Sequence, residues 1–217
     1  MTATLSPEAP TLDAHHPDVH ATFLGDVANH QMTVLRDDGV YRHLRFAVPG
    51  ENAWHQWFEL VTWPGHLVIS GDMGSYGPFA RHGTTDMFTF FESASANINP
   101  SYWAEKLGRS HGDVKEYSPE LARKVVLAYW ADEADEFEDE DRRWISARLD
   151  DLLAYHCDFD AHEMYSALEN FKVAGFSFSD VHELDFDEYT FHFLWCCFAI
   201  RFGINQYRNL TEGGPLA

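Results

Sequence analysis

Residues Gln31 to Phe46 read QMTVLRDDGVYRHLRF, and residues 55–72 read HQWFELVTWPGHLVISGD. In the first stretch two β-prone runs flank Asp38-Gly39, a dipeptide that turns a chain tightly because glycine accepts a positive φ. The second repeats the design around Trp63-Pro64-Gly65, where proline and glycine again punctuate the chain. Two hairpins in succession predict a four-stranded antiparallel meander over residues 31–72. Side chains alternate along a strand, so Val40, Leu44 and Phe46 share one side of the second run, while Tyr41, His43 and Arg45 take the other.

Downstream the character changes. Gly71 to Gly83 (GDMGSYGPFARHG) holds four glycines and one proline and reads as a loop. Thr85 is expected to cap a short helix, DMFTFFES, with Asp86 favourably placed in its first turn. Asn99-Pro100 opens another, SYWAEKL. Ser118-Pro119 starts a longer one, SPELARKVVLAYW, with the cap and first-position proline that helices prefer. From Asp132 to Asp141 eight of ten residues are acidic, which should interrupt the helical region before RRWISARLDDLLAYH resumes. A further helix covers about Ala161 to Phe171, and Phe176 to Phe186 adds a strand or extended segment. The last element, DEYTFHFLWCCFAIRFGINQY, is apolar nearly all round, as buried helices are. The fold class is therefore α+β, an N-terminal meander packed by C-terminal helices, with the final helix buried. Residues 1–24 read as a flexible tail, 25–210 as a single domain and 211–217 as a C-terminal tail.

The 217 residues are 45% hydrophobic and 15% aromatic, enough for a sizeable core. Thirty-five acidic against 15 basic side chains give a net charge of −20. Such a surface repels phosphate backbones and anionic lipids, so no direct nucleic-acid or membrane partner is expected. Small ligands, basic protein surfaces, metal ions and imitation of nucleic acid stay open. Three cysteines, Cys157 and the neighbours Cys196 and Cys197, make no disulfide framework and point to a reducing cytoplasm. The first ten residues lack the basic start and apolar run of a signal peptide. The longest apolar stretch, Tyr189 to Ile204, carries His192 and Arg201 and falls short of the ~20 residues of a membrane span.

The series VANHQMTVLRDDGVYRHLRF, FELVTWPGHLVISGDMGSY, DMFTFF, INPSYWAEKL and YTFHFLWCCFAIRFGINQY resembles an uncharacterised family of proteins from tailed bacteriophages and prophages. The likeness runs in five blocks in the same order over about Val27 to Tyr207. The resemblance carries no established activity, cofactor or site residue with it. It implies a context, that of a phage accessory protein made in the cytoplasm of an infected host. The acidic run lies outside these blocks.

Several constellations could carry chemistry, each beside a plainer reading. The GDMGSYG loop could bring backbone N–H groups to a ligand, but it lacks the Lys and Ser/Thr of a phosphate-binding loop and the GxGxxG spacing. Asp72 could serve as ligand, base or turn cap. Tyr41, His43 and Arg45 make a patch with one ring and two donors if their face is open, and His43 is a hydrogen-bonded core histidine if it is covered. On INPSYWAEKL, Tyr102 and Trp103 could stack a base and Glu105 act as acid or base; otherwise Trp103 docks into the core and Glu105 and Lys106 stay wet. His192 and Cys196 share a helix face as two metal ligands would, with Cys157, His156, His162 and Glu163 as remote partners, yet HExxH and CxxC are absent. His15, His16 and His20 could catch a metal only weakly. The acids of 132–141 could imitate DNA or simply be a solvated face.

The reading adopted is non-enzymatic binding of a small anionic, nucleotide-like ligand by Tyr41, His43, Arg45, Asp72, Arg81, Trp103 and Lys106, with no cofactor and no bound metal. Its partner is that ligand or a host protein, acting on host defence or physiology, and a second copy of the chain is a further possible partner. The alternatives are an acidic DNA mimic that inhibits a host nucleic-acid-binding protein, or a metal-dependent hydrolase using Asp72, His43 or His82 with Glu105.

Overall fold

A computed structural model describes residues 16–50, 55–83, 85–93, 98–108 and 114–211. Where the sequence reading draws one domain over 25–210, contacts group the chain into two compact units. One contains the described residues up to Val114 together with those from Tyr189 onward; the other, Lys115–Glu188, is inserted between them in sequence.

The first unit is built on an antiparallel sheet in sequence order: β1 (Gln31–Asp38), β2 (Tyr41–Ala47), β3 (Phe58–Trp63), β4 (His66–Gly71) and β5 (Gly74–Ala80). The α+β class and the meander stand, with five strands rather than four. The fifth runs through the stretch read as a glycine-rich loop. Its register sets Tyr76 opposite Ile69 and Phe79 opposite Leu67, which buries both rings in the core. Between those pairs the register shifts, and Gly77 holds φ +135° where a Cβ would come within 2.9 Å of the Leu67 carbonyl oxygen. Glycine and proline are depleted in strands, so composition hid this one.

Leu44, Phe46, Phe58, Leu60, Leu67 and Ile69 alternate onto one face of the sheet and are buried. The final helix, Phe191–Thr211, belongs to the same core, with Phe193 through Ile200 all buried, as its all-round apolar sequence requires. Gly203 lies tight against the sheet: a Cβ there would lie 2.6 Å from Leu60 Cδ1 and 3.1 Å from the Phe46 ring.

The tail expected over 1–24 is corrected for its described part. Pro17–Val27 is a helix with proline in its first turn. Phe23 and Val27, four residues apart on one face, are buried, and Phe23 meets Trp195 edge-on at 5.2 Å. His16 and His20 fall in this ordered part, and His20 stacks on Phe198 at 4.8 Å; His15 lies outside the described residues. Asp86, rather than Thr85, caps the helix Met87–Ser93, its Oδ1 accepting the Phe88 N–H at 2.9 Å. Asn99 caps Pro100–Ala104 by accepting the Tyr102 N–H at 3.0 Å.

The inserted unit has helices Pro119–Glu133, Asp139–His156 and Ala161–Asn170, then a small hairpin, Lys172–Val173 with Phe176–Ser177. Ser118 and Asp160 cap the first and third helices through their side chains. A separate core gathers Val126, Trp130, Ile145, Leu149, Leu153, Cys157, Met164, Leu168 and the rings of Phe171, Phe176 and Phe186. The acidic run interrupts the helices as expected. A 3-10 turn at Ala134–Glu136 ends the first, and Asp139, Glu140 and Asp141 open the second, where carboxylates meet the positive end of the helix dipole. Among the described residues no helix is long and apolar enough to cross a membrane.

Candidate functional site

Alternation along β2 does what the sequence requires: Leu44 and Phe46 point inward, while Tyr41, His43 and Arg45 occupy the opposite, partly open face, with Tyr41 44% exposed. The register then adds what spacing could not show. Glu59 on β3 stands directly opposite Arg45, and its two carboxylate oxygens accept from Arg45 Nη1 and His43 Nε2, each at 2.8 Å. The Arg45 guanidinium also covers the Trp57 ring at 4.8 Å, and Arg36 covers Tyr41 at 5.5 Å. One carboxylate therefore already answers the two donors intended for an anion.

The remaining candidates divide. Asp72 follows β4; its carboxylate accepts the Gln56 N–H at 2.9 Å and its own N–H donates to the Trp57 carbonyl at 3.0 Å. Arg81 follows β5, whose seven residues at ~3.3 Å each set it about 20 Å from the Asp72 end. The structure does not bring Asp72 and Arg81 together, and the same distance separates Asp72 from His82. Trp103 is 1% exposed and sits edge-on to Phe91 at 4.6 Å, so it is a core residue and cannot stack on a ligand.

What does meet is Arg81, Tyr102 and Lys106. The Ala80 N–H donates to the Lys106 carbonyl at 2.8 Å, and Phe79 bridges to Leu107, so the segment after Pro100–Ala104 lies along the open edge of β5. Arg81 Nη1 donates to the Tyr102 hydroxyl, with its guanidinium 4.7 Å over the Phe90 ring. Lys106 Nζ lies 4.1 Å from the centre of the Tyr102 ring. Among the described residues no carboxylate pairs with Arg81. Lys106 has only the exposed Glu105 at 3.8 Å, a separation worth little in water. Two cations thus share one tyrosine.

A charge cluster around the buried Arg42 escaped the sequence reading. Arg42, 7% exposed on the inward side of β2, donates to both oxygens of Asp86 at 2.9 and 3.1 Å and lies against the rings of Phe88 and Tyr207. The Tyr207 hydroxyl donates to Asp37 at 3.0 Å, and Arg208 forks onto Glu92 at 2.7 and 2.8 Å. Burial alone would raise the Asp86 carboxyl; the hydrogen bonds and charge of Arg42 outweigh it and hold the group below the usual carboxylate range. The signal was there in the alternation, since Arg42 shares its side with Leu44 and Phe46. The cluster fastens the sheet to the helices.

The cysteines of the last helix are core. Burial pushes the Cys196 thiol well up, and Cys197 likewise with Cys196 beside it, while His192 is exposed on the first turn. Among the described residues no three His, Cys, Asp or Glu side chains are grouped as a metal ion needs. In the inserted unit His156 donates to Glu163 at 2.8 Å and Arg148 to Asp151 at 2.9 Å. The groove of about 510 Å³ that these residues line, with Tyr155 and Lys172, thus pairs most of its charges internally. The net charge is unevenly shared. Lys115–Glu188 carries 21 acidic and 7 basic side chains, a net of −14 out of −20.

No protein-family model, curated protein or solved structure matches this chain. Fold and site define its class: a five-stranded meander backed by helices, with a strongly acidic unit inserted before the final helix.

Proposed function

We propose that this chain is a non-enzymatic binding protein whose ligand is a small phosphate-bearing anion of the nucleotide kind, held by Arg81, Tyr102 and Lys106. One observation carries the reading: Arg81, with no carboxylate partner among the described residues, and Lys106, with the exposed Glu105 at 3.8 Å, gather on one tyrosine in a chain of net charge −20. A guanidinium fork and an ammonium group side by side suit phosphate oxygens. The Tyr102 ring is already covered by Lys106, so recognition rests on charge rather than on base stacking. Tyr102 and Lys106 lie in one of the blocks that resemble phage proteins. The role that follows is an accessory protein that withdraws or senses such a ligand inside an infected bacterium. Calorimetry with pyrophosphate, ATP and a cyclic dinucleotide tests it. At least one should bind, and Arg81→Ala and Lys106→Ala should each weaken it by about tenfold or more, the loss of one charge-assisted contact. Arg45→Ala, whose charge Glu59 already answers, should bind normally. Absence of binding to all three, or unchanged binding in both variants, refutes the reading.

A second reading rests on the −14 of the inserted unit, which would offer a basic protein an imitation of nucleic acid. Its test is retention of a purified basic nucleoid protein at low salt, competed by duplex DNA. Changing the eight acids of 132–141 to their amides should abolish retention, and an unchanged pull-down sinks the idea.

A further inference from the structure

The outer face of the sheet carries a ring pair, Trp63 and His66, beside the anion site. Trp63 ends β3 and His66 opens β4, directly opposite each other across the Pro64-Gly65 turn. Thr62 and Leu67 next to them are buried, so alternation turns both rings to the outer face, where each is half-buried. Their ring centres lie 5.1 Å apart with the planes within 11°, which sets the rings face to face. That separation is about one strand spacing, ~4.8 Å, so the stack runs across the strands. Among the described residues no other ring stacks on either side chain.

The pair also has a polar rim. His66 Nδ1 lies 2.9 Å from the Pro64 carbonyl oxygen, which can only accept, so Nδ1 carries the proton of the neutral ring and Nε2 keeps its lone pair. Neither that Nε2 nor the Trp63 indole N–H has a hydrogen-bond partner among the described residues, and neither is a buried atom. The register then continues the row. Ala80 on β5 stands opposite His66 and shares the outer face, since Phe79 before it is buried. It puts only a methyl where Trp63 and His66 carry rings. The anion site follows at once. The Ala80 N–H donates to the Lys106 carbonyl at 2.8 Å, and the Arg81 N–H donates to the Gly65 carbonyl at 3.0 Å. The turn that carries the ring pair is therefore hydrogen-bonded to the backbone of one cation. Ala80 lies about one strand spacing, ~5 Å, from the backbone of the other, a distance that a pentose spans. A flat face with a donor and an acceptor at its rim suits a heterocyclic base, which stacks on aromatic side chains whatever its identity.

We propose that Ala80 is the floor of a base subsite: the base of a nucleotide stacks on His66 as the third ring of the row, while its phosphate rests on Arg81 and Lys106. This rests on the anion-site reading and deepens it, since charge holds the phosphate and the ring pair selects among phosphate-bearing ligands.

The test compares AMP with ribose 5-phosphate on the full-length protein, two probes with the same sugar and phosphate of which only AMP carries a base. AMP should bind about tenfold or more tightly, the worth of one stacked base, and should move the His66 ring resonances and the Trp63 indole N–H signal. His66→Ala should bring AMP down to the affinity of ribose 5-phosphate. Ala80→Leu, which fills the third position and keeps the ring pair, should do the same. Arg81→Ala should weaken both probes. Equal affinity of the unaltered protein for the two probes overturns the base subsite and leaves the anion site standing. Silence toward both probes and toward pyrophosphate overturns the two together. AMP binding that leaves the His66 signals unmoved, or that survives Ala80→Leu intact, also refutes the proposal.

Discussion

Asp86→Asn is the sharpest probe of how the sheet is fastened to its helices. The substitution keeps the size of the side chain and removes its charge. Arg42, 7% exposed and gripped at 2.9 and 3.1 Å, is left with a buried positive charge facing an amide. Breaking a buried pair from one side costs about 3–5 kcal/mol, because the survivor stays desolvated and uncompensated. With stabilities of about 5–15 kcal/mol for folded proteins and urea slopes of ~1–3 kcal/mol/M, the unfolding midpoint should fall by about 1–3 M at pH 7. Replacing both partners by apolar residues of similar volume, Arg42→Met with Asp86→Leu, should recover most of that loss. The pH dependence has a fixed sign. The folded Asp86 carboxyl sits below its ordinary value, so its contribution is complete above the unfolded pKa of ~3.9 and is lost as pH falls through the folded value. The gap between wild type and Asp86→Asn should therefore be widest near neutrality and close at strongly acid pH, where both side chains are neutral. Urea melts followed by tryptophan fluorescence and far-ultraviolet circular dichroism measure it. A variant within 0.5 kcal/mol of wild type at pH 7, or a gap that stays constant into acid, would refute the argument.

The other outcomes are quickly checked. Trp103→Ala should cost about 3–5 kcal/mol as a core deletion, whereas Tyr41→Ala on the open face should change stability by less than about 1 kcal/mol; equal effects would contradict the placement of both. Gly203→Val drives a branched side chain at Leu60 and Phe46 and should lose about 1–3 kcal/mol. Gly25→Ala, in a helix with nothing within 4 Å of the new methyl, should gain roughly 0.5–1 kcal/mol by thermal melting. A thiol reagent at pH 8 should find none of the three buried cysteines in the native protein and all three in urea, and rapid reaction of any one under native conditions contradicts its burial.

Much of this molecule is written locally. Asp38-Gly39 and Trp63-Pro64-Gly65 bend the chain by backbone preference alone, and alternation then assigns Leu44 and Phe46 inward and Tyr41, His43 and Arg45 outward. Ser118-Pro119, Asn99-Pro100 and the apolar run from Phe191 announce helices through short-range capping and periodicity, and the −20 is a matter of counting. Other features have no local signature. Strand β5 looks like a loop until Leu67 and Ile69 give Phe79 and Tyr76 partners. The helix Pro17–Val27 looks like a tail until Phe23 meets Trp195, a contact across 172 residues.

The candidate site follows the same division. The sequence by itself determined which residue types were present and which strand face they took, because those depend on neighbours one to four positions away. Only the tertiary structure decided that Glu59 spends itself on His43 and Arg45, that Trp103 is interior, that Asp72 and Arg81 lie at opposite ends of β5, and that Arg81 and Lys106 share Tyr102. Charges act through space, and the register of one strand against the next sets which of them meet.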